Sequence, residues 1–120
     1  MNARILYAED EEQTRTLVAE ELRLEGYTVD TAADGEAAIG LLTGRTYDLI
    51  LLDIRMPKKS GLDVLAYVRE QNLRPRVIML TAVDELSSAI QAVKLGASDY
   101  LTKPFRLEQL LAAVERMLHR

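Results

Sequence analysis

Five short apolar segments of strand length alternate along the chain with stretches of helical spacing. The segments 49–52 and 77–80 are apolar at every position, which is typical of strands buried on both faces of a parallel sheet. Between the segments, apolar residues recur at the spacing of amphipathic helices. Examples from the first helix are Leu17, Val18, Leu22 and Leu24. The sequence therefore predicts one helix after each of five strands, at residues 5–8, 27–32, 49–52, 77–80 and 98–101.

The strict alternation of strand and helix limits the architecture. Parallel strands joined by helices make right-handed crossovers, so the helices cover both faces of one central sheet. Three predicted helices are followed by Gly26, Gly44 and Gly96, residues suited to ending a helix. The prediction is an α/β fold with a doubly wound, five-stranded parallel sheet and five helices. Ligands of such folds bind beyond the carboxyl ends of the strands.

Composition excludes several function classes. The 120 residues suffice for one domain, which we expect to span residues 1–120. A net charge of −4 disfavours direct binding of nucleic acid by this domain. The absence of cysteine excludes disulfides and thiolate metal sites and suits a cytoplasmic location. No apolar run approaches the roughly 18 residues of a membrane span, so we expect no membrane association.

Polar residues stand at the ends of four predicted strands. Glu9 and Asp10 follow the first, Asp53 the third, Thr81 the fourth, and Lys103 comes just after the fifth. Because the carboxyl ends of parallel strands meet at one edge of a sheet, we expect these residues to converge. Three carboxylates without a histidine or cysteine form an all-oxygen site, which predicts Mg²⁺, with Mn²⁺ as an alternative.

The charge of this cluster indicates its chemistry. Two unit charges about 5 Å apart repel by roughly 3 kcal/mol at an effective dielectric constant near 20, so three acids need a cation or a proton between them. A carboxylate held beside a divalent cation and an ammonium group can attack phosphorus. Asp53, fixed at the end of a buried strand, is the predicted nucleophile. Thr81 and Lys103 would contact the phosphoryl oxygens.

Each of these residues also has an ordinary structural explanation. Glu9 and Asp10, with the two glutamates that follow, suit the first turn of a helix, because carboxylates stabilise its positive end. A single aspartate after a strand is a common helix cap, and a Lys-Pro pair is a common turn. The predicted convergence of all five residues at one sheet edge favours the phosphate interpretation over these separate explanations.

Longer segments resemble a known family. Residues 5–11, Ile-Leu-Tyr-Ala-Glu-Asp-Glu, resemble an acidic first-strand motif, and residues 48–57, Asp-Leu-Ile-Leu-Leu-Asp-Ile-Arg-Met-Pro, resemble a phosphoacceptor segment. Residues 79–82 and 94–105 resemble the two remaining motifs. Over essentially its whole length, the sequence is similar to the receiver domains of two-component response regulators, in the chemotaxis-regulator-like superfamily.

The resemblance implies a flavodoxin-like sheet with strand order 2-1-3-4-5. It also implies a phosphorylation-dependent signalling switch, in which Asp53 accepts phosphate from a phosphohistidine and slowly loses it by hydrolysis. The donor would be a sensor histidine kinase or a histidine phosphotransfer domain. Mg²⁺ would be held by Asp10, Asp53 and the backbone carbonyl of Arg55, with Glu9 reaching the ion through water.

The resemblance further implies how the switch works. Thr81 and Lys103 would bind the phosphoryl group, and Tyr100 would swing inward on activation. Members of the family also usually have a cis peptide bond before the proline that corresponds to Pro104. The controlled output would be a partner protein or a C-terminal effector domain outside this chain.

Three other functions are weighed against this one. Phosphatases of the haloacid dehalogenase type also use an aspartate after a parallel strand, but they need an acid-base aspartate where this chain has Arg55. A flavodoxin-like FMN carrier needs a neutral phosphate loop where this chain has four consecutive acids, residues 9–12. A degenerate receiver that only binds proteins would not need the complete set of acids and Lys103.

The fourth and fifth helices bear on self-association. A homodimer on phosphorylation is an open alternative, but Ala89, Gln109 and Ala113 stand where related receivers carry charged residues that pair across a dimer. We therefore do not expect a two-fold dimer held by salt bridges, although Asp99 is retained. The fifth helix carries four apolar residues, Leu107, Leu110, Leu111 and Val114. We expect some of them to pack on the sheet and any remainder to be exposed.

Overall fold

Five strands and five helices alternate in the computed structural model, which describes residues 3–119. Met1, Asn2 and Arg120 of the predicted domain lie outside the described residues. A short 3₁₀ turn, Val83–Glu85, precedes the fourth helix. In chain order the elements are β1 (Arg4–Ala8), α1 (Glu12–Leu24), β2 (Thr28–Ala32), α2 (Gly35–Gly44), β3 (Leu49–Asp53), α3 (Gly61–Glu70), β4 (Arg76–Ala82), α4 (Leu86–Lys94), β5 (Asp99–Lys103) and α5 (Leu107–Leu118).

The strands form one parallel sheet in the order β2-β1-β3-β4-β5, so the predicted strand order is confirmed. All five residues of the central strand β3 are buried, as its apolar sequence predicts. Side chains alternate between two cores, because successive residues of a strand point to opposite faces. One core lies under α1 and α5, and the other lies under α2, α3 and α4. The sheet is therefore doubly wound.

Helix ends differ from the sequence prediction at one glycine. Gly26 and Gly96 follow α1 and α4 with φ of 98° and 106°, a conformation that favours glycine. Gly44 is instead the last residue of α2, and the residue that follows the helix is Arg45, whose backbone is extended. The prediction that Gly44 follows its helix was therefore wrong by one residue.

The sheet covers most of the apolar surface of α5, as the sequence analysis expects for part of it. Within α5, Leu110 and Val114 are buried and Leu107 and Leu111 are half-buried. Exposed apolar side chains lie on α4 instead. That helix packs its alanines against the sheet, so its larger apolar residues face outward. In α1, Leu17 and Leu24 also face outward, whereas Val18 and Leu22 pack in the core. The most exposed apolar residues of α4 are Leu86, Ile90 and Val93.

No helix within residues 3–119 combines the length and the apolar character that crossing a membrane requires.

Gly61 allows α3 to begin directly against the end of β3. Its backbone N–H donates to the carbonyl of Ile54 at 2.8 Å. A Cβ atom at this position would lie 2.4 Å from the Asp53 carbonyl oxygen and 2.9 Å from the Ile54 Cα. Both neighbours are backbone atoms, one at the end of β3 and one at the start of the loop that follows, so a side chain at position 61 would displace this part of the backbone.

We expect Gly61→Ala to lower the free energy of unfolding by about 1–3 kcal/mol, the usual cost of overpacking a fixed site. Gly40→Ala is the matched control, because Gly40 is exposed within α2 and a Cβ there meets nothing within 4 Å. The control should gain up to about 1 kcal/mol from helix propensity. Urea unfolding of the two variants measures the difference, and equal stability would contradict this account of Gly61.

Candidate functional site

The residues predicted to converge do lie at one edge of the sheet. Asp53 and Lys103 are the last residues of β3 and β5, Thr81 is the second-last residue of β4, and Glu9 directly follows β1. The strand register aligns these ends, since Asp53 pairs with Leu80 and Thr81 pairs with Thr102 on the neighbouring strand. The prediction that the carboxyl ends of the strands gather these groups is therefore confirmed.

Three carboxylates form a compact cluster at this edge. Glu9, Asp10 and Asp53 each offer an oxygen atom, and these atoms all lie within 4.8 Å of one another. Glu9 and Asp53 are only 1% and 5% exposed, whereas Asp10 is exposed. Buried carboxylates are stable in the ionised form only when cations or hydrogen-bond donors compensate for lost hydration. The cluster therefore requires positive charge.

Lys103 supplies one positive charge to the two buried carboxylates. Its Nζ lies 2.8 Å from Glu9 Oε1 and 2.9 Å from Asp53 Oδ2. Partial burial disfavours the charged amine, but the hydrogen bonds and negative charges of Glu9 and Asp53 outweigh it and hold the pKa of Lys103 above its usual value. Because β4 lies between β3 and β5, this single side chain crosses one strand to join three elements of the site.

The donor set fits a hard divalent cation. With Lys103 protonated, three carboxylates and one ammonium leave a formal charge of −2, which one divalent ion would neutralise. All side-chain ligand atoms of the cluster are oxygens, the type that Mg²⁺ prefers. In addition, among residues 3–119 no backbone N–H donates to the Arg55 carbonyl oxygen, so this predicted ligand is not engaged by the backbone.

The loop between β1 and α1 is held by a residue that the sequence analysis did not identify. Arg15 Nη1 donates to the carbonyl oxygen of Glu9 at 2.9 Å and lies 3.4 Å from that of Asp10. The backbone N–H of Glu11 also donates to Glu9 Oε2 at 3.2 Å. The side chain and the carbonyl of Glu9 therefore both have defined partners.

Thr81 is fully buried and does not contact the carboxylates by a hydrogen bond in this structure. Its hydroxyl lies 3.1 Å from the carbonyl oxygen of Ala82 and 3.2 Å from that of Glu85. Ala82 is the last residue of β4, and Glu85 belongs to the 3₁₀ turn that joins β4 to α4. Tyr100, the other predicted switch residue, is 40% exposed on β5. Thr81 therefore bonds to the end of its own strand and to the turn that follows, and Tyr100 lies at the surface.

A second unpredicted contact joins the loop after β3 to that same segment. The Arg55 side chain forms an ion pair with Glu85, with Nε lying 2.9 Å from Oε1. Ser88 donates to the other carboxylate oxygen of Glu85 at 3.0 Å. These hydrogen bonds and the charge of Arg55 hold the pKa of Glu85 below its usual value. The Arg55 side chain is thus engaged with Glu85 at the surface.

Tyr7 lies in the core with its hydroxyl near the cluster. The side chain is fully buried, and within the described part of the chain its hydroxyl has no hydrogen-bond partner. Burial first, and then the negative charges of Glu9 and Asp53, raise the pKa of Tyr7 far above its usual value. The phenol is therefore neutral and adds no charge to the site.

The Lys103–Pro104 peptide bond is cis, as the resemblance implies.

Comparison with known proteins identifies the family of the chain. Residues 5–115 match the family model of the response regulator receiver domain. The chain is 44% identical over 117 residues to the response regulator protein PmrA of Pseudomonas aeruginosa, covering 98% of this chain and 53% of PmrA. It is 42% identical over 120 residues to the alkaline phosphatase synthesis transcriptional regulatory protein PhoP of Bacillus subtilis, covering all of this chain and 50% of PhoP. The chain thus spans about half the length of these curated relatives.

Solved structures show the same fold. The receiver domain of the Francisella response regulator 1452 superposes with a TM-score of 0.92 at 33% identity, covering 99% of this chain and 98% of that one. The chemotaxis response regulator CheY4 of Vibrio cholerae superposes with a TM-score of 0.91 at 32% identity, covering 98% of this chain and 100% of that one. By family match, sequence identity and fold, the chain belongs to the receiver domains of two-component response regulators.

Proposed function

We propose that this receiver domain is switched by phosphorylation of Asp53 in the presence of Mg²⁺. The observation that carries the proposal is the Lys103 ammonium, which lies 2.9 Å from Asp53 Oδ2 within a cluster of three carboxylates. A buried carboxylate at the rigid end of a strand, beside a cation, is suited to act as a nucleophile toward phosphorus.

The phosphoryl transfer needs no further reactant. One carboxylate oxygen of Asp53 attacks the phosphorus of a phosphohistidine and forms an O–P bond. The P–N bond breaks, and its electron pair goes to the ring nitrogen. The imidazole leaves as a neutral group when its other nitrogen is already protonated; otherwise the ring takes up a proton from water. Lys103 neutralises charge on the phosphoryl oxygens, and hydrolysis of the resulting mixed anhydride returns Asp53 to its carboxylate.

Asp10, Asp53 and the Arg55 carbonyl would hold Mg²⁺, and Glu9 would bind it through water. When bound, Mg²⁺ supplies positive charge next to the phosphoryl oxygens, where negative charge concentrates during transfer. Glu9 also keeps Lys103 directed toward Asp53, since the ammonium lies 2.8 Å from Glu9. The same ligands would accept Mn²⁺, because that ion also binds carboxylate, carbonyl and water oxygens.

The conformational response would pass through Thr81. Its hydroxyl has one proton, which it now directs at the carbonyls of Ala82 and Glu85. A phosphoryl group on Asp53 offers stronger acceptors, because hydrogen bonds to charged oxygens are about twice as strong as neutral ones. We expect Thr81 to turn toward it and release the carbonyl of Glu85. Tyr100 would then move inward from its surface position, which shifts the population toward the active form.

A partner has to bring the phosphohistidine to this edge of the sheet. An apolar groove between α1 and the segment after β5 begins at Lys103 and is bordered by Leu17, which is 58% exposed. A sensor histidine kinase or a histidine phosphotransfer domain would rest on this groove. The output would be an effector domain outside this chain, as in relatives named transcriptional regulators, or a phosphorylation-dependent homodimer.

The phosphatase alternative lacks its acid-base residue. In a hydrolase of that type the side chain two positions after the nucleophile must donate and accept a proton. Here that residue is Arg55, whose guanidinium is always charged at neutral pH and is paired with Glu85. The domain therefore carries and loses its own phosphoryl group, and we do not assign it turnover of external phosphate esters.

Asp53→Asn should abolish phosphorylation, because the amide cannot act as the nucleophile. Intact mass after incubation with acetyl phosphate and Mg²⁺ should show one added phosphate in the wild-type chain and none in the variant. Asp48→Asn is the matched control: Asp48 precedes the same strand at the opposite edge of the sheet and accepts the Arg4 backbone N–H at 2.8 Å. A phosphate that persists in Asp53→Asn would refute the assignment.

Lys103→Met should destabilise the domain in chelator, since two buried carboxylates would lose the one ammonium that contacts them among residues 3–119. We expect a loss of about 1–3 kcal/mol, less than for a fully buried pair because Lys103 is partly exposed. Added Mg²⁺ should stabilise Lys103→Met more than wild type. Without the ammonium the formal charge of the cluster changes from −2 to −3, and the more negative cluster attracts the cation more strongly. Thermal unfolding with and without Mg²⁺ measures this, with the exposed Lys59→Met as control. Unchanged stability of Lys103→Met in chelator would contradict the role of the bridge.

Thr81→Ala should still accept phosphate but respond weakly to it. The phosphoryl group would have no hydroxyl to attract, so the segment after β4 would keep its resting conformation. Amide NMR shifts on adding beryllofluoride and Mg²⁺ should be less than half of the wild-type shifts in α4 and β5. Thr102→Ala, at the position paired with Thr81 on β5, should respond like wild type. Full-size shifts in Thr81→Ala would show that the response takes another route.

A further inference from the structure

We infer that Arg15 is a positioning residue that holds the acidic loop, residues 9–11, in the geometry that binds Mg²⁺; this inference rests on the proposed function. Arg15 lies near the start of α1 and is half-buried. Its Nη1 donates to the carbonyl oxygen of Glu9 at 2.9 Å and lies 3.4 Å from that of Asp10. One guanidinium nitrogen therefore reaches both residues that follow β1.

These two carbonyls lie where the chain leaves the sheet. The Glu9 backbone N–H still donates to Ala32 at the end of β2, at 3.0 Å, but β1 has already ended at Ala8. Among residues 3–119, no backbone N–H donates to the carbonyl of Glu9 or Asp10. The N-cap residue Glu11 also makes no side-chain capping bond to the helix backbone, so a capping side chain does not tie the loop to α1. Arg15 thus supplies hydrogen bonds that neither sheet nor helix provides.

The position of this loop decides where two of the three carboxylates stand. Glu9 and Asp10 carry their side chains on the backbone that Arg15 holds, while Asp53 is fixed separately by β3. A rotation of the peptide between Glu9 and Asp10 would change the position of Asp10 relative to Asp53. Residues that orient metal ligands commonly change metal affinity by 10–100-fold when mutated. Arg15 occupies that role for the acidic loop.

The charge of Arg15 and its hydrogen bonds predict opposite effects on Mg²⁺. A positive charge near the cluster repels a divalent cation, so removing the charge alone would tighten Mg²⁺ binding. Loss of the two hydrogen bonds would instead let the acidic loop move and would weaken binding. The sign of the change in affinity therefore separates a positioning role from a purely electrostatic one.

Arg23 provides a matched control on the same helix. Its Nη2 donates to the carbonyl oxygen of Val29 on β2 at 2.8 Å, so it too joins α1 to a strand through a backbone carbonyl. Val29 lies within β2, away from the carboxyl ends of the strands that carry the acidic cluster. Arg23→Gln therefore removes a similar hydrogen bond and the same charge without touching the acidic loop.

The test measures the Mg²⁺ dissociation constant of the full chain by calorimetry and its thermal unfolding in chelator. Arg15→Gln should weaken Mg²⁺ binding about tenfold, the lower end of the range for orienting residues. Arg23→Gln should leave it unchanged at a similar loss of stability. Arg15→Lys, whose ammonium can donate to the same oxygens, should recover most of the affinity.

If the wild-type chain binds Mg²⁺ and Arg15→Gln binds it as tightly or more tightly, the inference about Arg15 is wrong. The proposed function is unaffected by that result. An equal weakening in Arg23→Gln would also overturn the inference about Arg15, by assigning the effect to general stability. A wild-type chain that binds no Mg²⁺ and takes up no phosphate would overturn the proposed function itself. Because Arg15→Lys keeps the charge and a donor, a Lys variant as weak as Arg15→Gln would likewise count against the inference.

Discussion

The ammonium of Lys103 between Glu9 and Asp53 is the contact on which this site depends. It compensates for two carboxylates that are almost completely buried, and it draws together the ends of β1, β3 and β5. The arrangement is available only because the sheet is parallel and doubly wound, so that strand ends far apart in sequence meet at one edge. The fold thus brings charged residues that are distant in sequence into contact. Because the cluster keeps a net negative charge, it is suited to bind a divalent cation.

The surroundings of Asp53 divide into two halves with different connections. On the side of β1, Arg15 and the Glu11 backbone N–H fix the acidic loop to α1. On the side of β4, Thr81 and Arg55 both bond to Glu85, which lies in the turn before α4. Under the proposed function, Mg²⁺ would bind at the half that these contacts fix to α1. A phosphoryl group would act on the part whose hydrogen bonds can be exchanged for stronger ones.

Much of the fold follows from the sequence because strands and their order of appearance depend on local apolar patterns. Likewise, Asp53 and Lys103 could be predicted to converge, since the carboxyl ends of parallel strands must share an edge. The contacts of Arg15 and Arg55 could not be predicted, because long flexible side chains choose among many backbone and side-chain partners only once the loops are built. The outward position of Leu17 could not be predicted for a related reason. The spacing of apolar residues identifies the apolar face of a helix, but only the packed structure shows which residues at the edge of that face are buried.

The central claim is that Asp53 becomes an acyl phosphate, and borohydride reduction tests it most directly. Borohydride reduces the acyl phosphate of an aspartate to the alcohol of homoserine and leaves phosphate esters of serine and threonine intact. After treatment with acetyl phosphate and Mg²⁺, peptide mapping should find homoserine at position 53, and it should find none when Mg²⁺ is chelated. Homoserine at another aspartate, or a phosphate that survives borohydride, would contradict the account.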